Sequence, residues 1–286
     1  MTTAAAKKPT VAVGSDFLSA FARIPRNQQA KVLSFISKFR ADPSLPGLSY
    51  EKLKDTRDQN LCSVRIDQAY RGIVLRPEGS NVYVLLWVDH HDEAYAWAKN
   101  KICRVHPETG SLQVIPVEEG PAQIIPMAPE KPGLFDGVTN QQLTSLGVPD
   151  LLLPMVRNMK TDDDLDRVAS DFPAEAAEAL YMLAAGYRIE DVRKELELPT
   201  EPKPVDTGDF AAALEKPDSK RRFFVVENEQ ELAEALNAPL EKWRVFPHPS
   251  QQKLIETDWN GPVRVLGGAG TGKTVVAFQI CWKLWS

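Results

Sequence analysis

The run Gly-Gly-Ala-Gly-Thr-Gly-Lys-Thr at residues 267–274 has the residue types and spacing of a loop that wraps phosphate groups. In the pattern G-x-x-x-x-G-K-[ST], backbone N–H groups turn inward on the phosphates, a lysine reaches the outer two, and a hydroxyl ligates Mg2+. Lys273 is the candidate for the β- and γ-phosphates and Thr274 for the metal. Gly267, Gly268, Gly270 and Gly272 permit the tight turn and the close backbone approach, with Ala269 and Thr271 filling the other places. Residues 262–266, Pro-Val-Arg-Val-Leu, read as a buried strand and residues 272–285 as a helix, so the loop sits between strand and helix and gains the helix's positive end. Sixteen residues ahead of it, Gln251 carries an amide that can donate to an adenine ring edge and accept from its amino group. Together these residues imply ATP and Mg2+ as ligands. The plainer alternatives are a glycine-rich turn without nucleotide and a polar surface glutamine.

His-Pro-Ser-Gln-Gln-Lys-Leu-Ile at 248–255, followed by the strand and loop, resembles the start of the motor core of UvrD/Rep-like superfamily 1 helicases. Gln251 stands in the place of their adenine-reading glutamine, and residues 269–274 in the place of their phosphate loop. The likeness covers residues from about 246 onward. It implies a P-loop α/β (RecA-like) domain, ATP hydrolysis coupled to movement on DNA, and single-stranded or duplex DNA as partner. Such motors also need an acidic Mg2+ and water-activating motif and arginines that stabilise the transferring phosphate. Twelve residues follow Thr274 and none is acidic, so the expectation is a chain that binds ATP, is incomplete for hydrolysis, and is the N-terminal portion of a longer helicase.

A second constellation lies near the other end. Leu-Cys-Ser-Val-Arg-Ile-Asp-Gln-Ala-Tyr-Arg-Gly-Ile-Val-Leu at 61–75, then residues 82–98, resemble the RelE/ParE toxin fold over about residues 11–101. In ribosome-dependent nucleases of that family, basic residues with a Tyr or His orient RNA for attack of a 2′-hydroxyl on the adjacent phosphate. The resemblance makes Lys52, Lys54, Arg65, Arg71, His91 and Tyr95 candidates for such a site, with His91 standing where an arginine is usual. A nucleic-acid or protein docking module is the preferred reading of this domain, and an RNA- or ribosome-directed nuclease the alternative. Metal binding by His90 and His91 is disfavoured, because neighbours on a strand face opposite ways.

The elements that must position these groups follow from period and punctuation. Residues 16–40 read as two helices broken at Ile24-Pro25, the second with Val32, Phe35, Ile36 and Phe39 on one face. From Leu61 the period falls to two, giving a three-stranded meander with a turn at 77–80, and residues 92–99 form a closing helix. Six prolines between Pro107 and Pro132 suggest a linker, and residues 141–196 read as an acidic set of helices with no catalytic pattern, an adaptor surface at most. The expected order is an α+β RelE-like domain at 1–103, a Pro-rich linker at 104–132, a helical middle segment at 133–200, a second linker at 201–222, and the beginning of the helicase domain at 223–286.

Charge is divided unevenly along the chain. Residues 1–103 hold fifteen Lys/Arg against ten Asp/Glu, whereas residues 104–245 hold fifteen against twenty-seven, which places nucleic-acid contact in the head. The three cysteines, Cys62, Cys103 and Cys281, form no C-x-x-C pair, which points away from structural zinc and toward a reducing compartment. With no apolar run approaching the ~20 residues of a membrane span, the expectation is a cytoplasmic protein without a membrane partner.

Overall fold

The computed structural model describes residues 9–117, 132–198 and 204–226, together with positions 257, 261, 277, 280 and 281. The chain is a mixed α+β protein. Of the described residues, 9–103 and 208–226 make one compact unit, and 104–117, 132–198 and 204–207 make another.

The first unit begins with β1 (Thr10–Gly14), which runs directly into α1 (Ser15–Phe21). Pro25 has no N–H to continue that helix and instead caps α2 (Arg26–Ala41). The side chain of Gln29 donates to the carbonyls of Phe21 (3.2 Å) and Ile24 (3.1 Å), supplying the partners that the end of α1 would otherwise lack. Val32, Phe35, Ile36 and Phe39 recur at helical spacing and are buried, so α2 is held by one apolar face. The chain then forms β2 (Tyr50–Lys52), β3 (Leu61–Arg65), β4 (Tyr70–Leu75) and β5 (Val82–His90), and closes with α3 (His91–Lys99). Between β4 and β5 the turn uses Gly79 at φ +72°, a left-handed conformation that costs glycine little.

Alternation divides the meander into two faces. Cys62, Val64 and Val74 enter the core beside Phe35 and Phe39 of α2. Ser63 and Arg65 point to the other side, where α3 packs on β4 and β5 and Trp97 stacks on Trp87 at 5.3 Å.

After α3 the chain enters β6 (Lys101–Val105), which pairs with β7 (Leu112–Pro116) across a tight turn. This hairpin occupies part of the expected Pro-rich linker. Its second strand, Leu-Gln-Val-Ile-Pro, is only five residues long and ends in a proline, so it carries little periodicity, yet Leu112, Val114 and Ile115 are all buried. The helices α4 (Asn140–Ser145), α5 (Leu153–Asn158), α6 (Asp162–Val168), α7 (Ala174–Ala184) and α8 (Ile189–Glu195) follow. Capping boxes at Thr139/Gln142 and Thr161/Asp164 start two of them. Ile115 of β7 shares a core with Leu143, Val156, Leu165 and Leu180, so hairpin and helices are one packed body.

A buried polar network ties that body together. Glu175 in the first turn of α7 accepts from Ser111 Oγ (3.1 Å) and Gln113 Nε2 (2.8 Å), and Gln113 also donates to the Gly147 carbonyl at 2.9 Å. Nearby, His106 Nδ1 accepts from the backbone N–H groups of Glu108 and Thr109, which leaves the ring proton on Nε2, facing the Val148 carbonyl at 3.3 Å. Burial, outweighing that carbonyl and the neighbouring carboxylates, holds the imidazole below its ordinary range. The unfolded chain takes up a proton below the ordinary value of 6.5 that the folded unit refuses, so stability is full above that value and declines as the pH falls through it. The slope is at most about 1.4 kcal/mol per pH unit for the one proton. Hydrogen exchange across residues 140–184 at pH 7.5 and 5.5 should show this acid loss, and His106→Asn, which keeps an acceptor in place of Nδ1, should flatten it.

The chain then returns to the first unit through α9 (Phe210–Leu214), α10 (Pro217–Arg222) and β8 (Phe223–Val225). The expected linker at 201–222 therefore contains two short helices. Asp209 caps the first by accepting from Ala212 N–H, and Pro217 opens the second at a position where its missing N–H costs nothing. The strand β8, read from sequence as the start of the nucleotide segment, lies antiparallel on β1, with Gly14 opposite Phe223 and Ala12 opposite Val225. The full sheet runs β2-β3-β4-β5-β1-β8, with β1 parallel to β5 and the other pairs antiparallel. Arg222 closes the return by pairing with Asp16 at 2.8 Å. Among the described residues no helix is long and apolar enough to cross a membrane.

Candidate nucleic-acid interface

A cleft of about 440 Å3 opens on the α3 side of the sheet. Its walls come from β2, the loop after it, β3 and the last two turns of α3, which bring Lys52, Lys54, Lys99, Tyr95 and Ser63 together. Three tethers fix the walls. Thr56 Oγ1 donates to the Ala98 carbonyl at 3.2 Å, and the Asp58 carboxylate accepts from the N–H groups of Asn60 (2.9 Å) and Cys103 (2.8 Å). The Trp87–Trp97 stack, with Arg23 over Trp87 at 5.4 Å, holds α3 against β5.

The cleft is electrostatically mixed, with three lysines against Glu51 and Asp55. Glu51 is itself 3.6 Å from the Arg65 guanidinium, which spends part of its charge locally. The Ser63 hydroxyl lines the cleft, is fully buried, and has no hydrogen-bond partner among the described residues. Three lysines lining one cleft suit a phosphate or another small anion.

The six residues singled out in this domain separate into groups. Lys52, Lys54 and Tyr95 line the cleft. Arg65 is exposed and reaches it only through Glu51. Arg71 is buried, and its Nη1 donates to the carbonyls of Asp67 (2.9 Å) and Tyr70 (3.0 Å), so it holds the β3–β4 turn and is not presented to a ligand. His91 lies at the start of α3, and the strand rule that separates it from His90 does not apply there. The strand ends between them, and the turn into the helix brings the two rings to 4.3 Å. Neither Lys99 nor Ser63 stood out in the sequence, where one is a helical lysine and the other a small polar strand residue.

The two buried thiols have structural roles. Burial pushes Cys62 up to about 12 and raises Cys103 further, so neither is a nucleophile near neutral pH. The phosphate loop at 267–274, including Lys273 and Thr274, and Gln251 lie outside the described residues, as does the strand expected at 262–266. Ala277, Ile280 and Cys281 are helical, three positions within the run for which the sequence predicts a helix.

No protein-family model matches this chain, and no curated protein or solved structure matches it significantly.

Proposed function

We propose that this chain provides the ATP-contacting segment and a nucleic-acid docking head of a UvrD-like, ATP-dependent DNA helicase. The observation that carries the reading is the phosphate-loop sequence at 267–274 with Gln251 sixteen residues ahead of it. Lys273 would contact the outer phosphates, Thr274 the Mg2+ and Gln251 the adenine, within a RecA-like domain. The head is read as RelE-like from its element order and its antiparallel meander under α3. Its cleft, lined by Lys52, Lys54 and Lys99, suits the phosphates of a DNA strand.

Binding of a fluorescent ATP analogue with Mg2+ tests the reading. Lys273→Ala removes a charge-assisted contact and should weaken binding about 10- to 100-fold. In the same preparation, Lys52→Glu with Lys54→Glu should leave nucleotide binding unchanged, weaken retention of single-stranded DNA, and lower the salt slope by about two. Nucleotide affinity that ignores Lys273 would overturn the proposal.

The placement of Lys52, Lys54 and Tyr95 in one cleft favours a second reading, a ribosome-dependent mRNA endonuclease. Growth arrest on expressing the full chain, with cleavage of ribosome-bound mRNA that disappears in Tyr95→Phe, would select it.

A further inference from the structure

At the junction of β5 and α3, His90, His91 and Asp92 stand in consecutive positions, and one ligating atom from each lies within 4.8 Å of the other two. His91 Nδ1 is 2.6 Å from Asp92 Oδ1, and His90 Nδ1 is 3.9 Å from Asp92 Oδ2. A tetrahedral ion with bonds of about 2.1 Å to nitrogen and oxygen holds neighbouring ligand atoms about 3.4 Å apart, and these two separations lie on either side of that spacing. The backbone supports the arrangement. The His91 N–H donates to the Ala69 carbonyl at 2.8 Å, and Tyr70 meets the His90 ring edge-on at 6.0 Å, which limits the freedom of both histidines.

We propose that His90, His91 and Asp92 bind one divalent transition-metal ion of the zinc, cobalt or nickel class. Two imidazoles and one carboxylate select these ions over Mg2+ and Ca2+, which prefer oxygen alone. All three side chains are partly exposed, which gives an ion a route in and leaves coordination positions for water or an anionic oxygen. The positive end of α3 opposes a cation there, but Asp92 and Glu93 in the first turn offset it. Asp92 lies four and seven residues before Ala96 and Lys99, so it shares a helical stripe with two residues that line the cleft. The ion would therefore sit at the N-terminal end of that stripe. Its binding does not depend on the helicase reading.

Titration of the metal-free full chain with Co2+, followed by visible absorption, should show one equivalent bound in the micromolar range and displaced by Zn2+. His90→Ala, His91→Ala and Asp92→Asn should each weaken binding at least about tenfold. Cys281→Ser and His106→Asn should leave it unchanged. On the wild-type chain, Cu2+ electron paramagnetic resonance should show coupling to two imidazole nitrogens, a result that needs no variant to fold. Binding that survives in the His90→Ala/His91→Ala double variant, or a wild-type chain that does not saturate with Co2+, would overturn the site.

Discussion

Replacing Phe223 by alanine should lower the stability of the first unit by about 3–5 kcal/mol, the range for deleting a fully buried aromatic ring. Phe223 is 2% exposed although it lies on the outermost strand and comes from a segment far along the chain. Its partner on β1 is Gly14. A Cβ at Gly14 would come to 3.7 Å from two Phe223 ring carbons, an ordinary contact, and to 3.3 Å from the Leu85 carbonyl, a tight one, so the ring lies directly against the Gly14 backbone. Thermal unfolding followed by tryptophan fluorescence should show the midpoint fall by roughly 10–20 °C. The stacked Trp87 and Trp97 belong to this unit and supply part of that signal. A loss under 1 kcal/mol, with amide protection of β1 and β5 unchanged, would mean that β8 decorates the sheet without supporting it.

Glu175→Ala should cost the second unit about 3 kcal/mol. The variant removes the acceptor for Ser111 and Gln113, and each buried donor left without a partner costs about 1–3 kcal/mol. Both donors keep another contact, Ser111 with the Thr109 hydroxyl and Gln113 with the Gly147 carbonyl, which holds the loss below the sum of the two. The Glu175 methylenes also cover Gly147, where a Cβ would approach Glu175 Cγ to 3.1 Å, so the truncation opens space against a glycine held at φ +94°. Glu175→Gln retains an acceptor oxygen and should lose less than half as much. Hydrogen exchange of peptides spanning residues 140–184 reads the effect directly. Equal losses for alanine and glutamine would place the energy in the charged carboxylate and not in packing.

Local signals in the sequence were sufficient where the structure is local. Pro25, the Val32/Phe35/Ile36/Phe39 stripe, the alternation from Leu61 and the turn at Gly79 each announce their element within a few residues. The return of β8 to β1 has no such signal, because the partners Ala12 and Val225 are separated by almost the whole described chain. The hairpin at Lys101–Pro116 was hidden by the prolines in its turn and at its end, and α10 by a proline that starts a helix instead of breaking one. Side-chain destinations were legible only in part. Lys52 and Lys54 are exposed lysines of the kind that line clefts, but the diversion of Arg71 depends on carbonyls presented by the Asp67 turn, which residue type does not encode. Glu175 read as one more acidic residue on an acidic helix, and only the fold makes it the acceptor for two buried donors.

The late return of β8 has a consequence for biosynthesis. The strand on which it docks emerges from the ribosome first, and 208 residues lie between Gly14 and Phe223. At roughly 5–20 residues per second, translation leaves the outer edge of β1 without its neighbour for about 10–40 s. During that interval β1 presents unsatisfied backbone groups of the kind that recruit foreign strands, and the second unit is made while the first is still one strand short. Vectorial synthesis thus makes the inserted helical unit a timer for completion of the sheet that surrounds it in sequence.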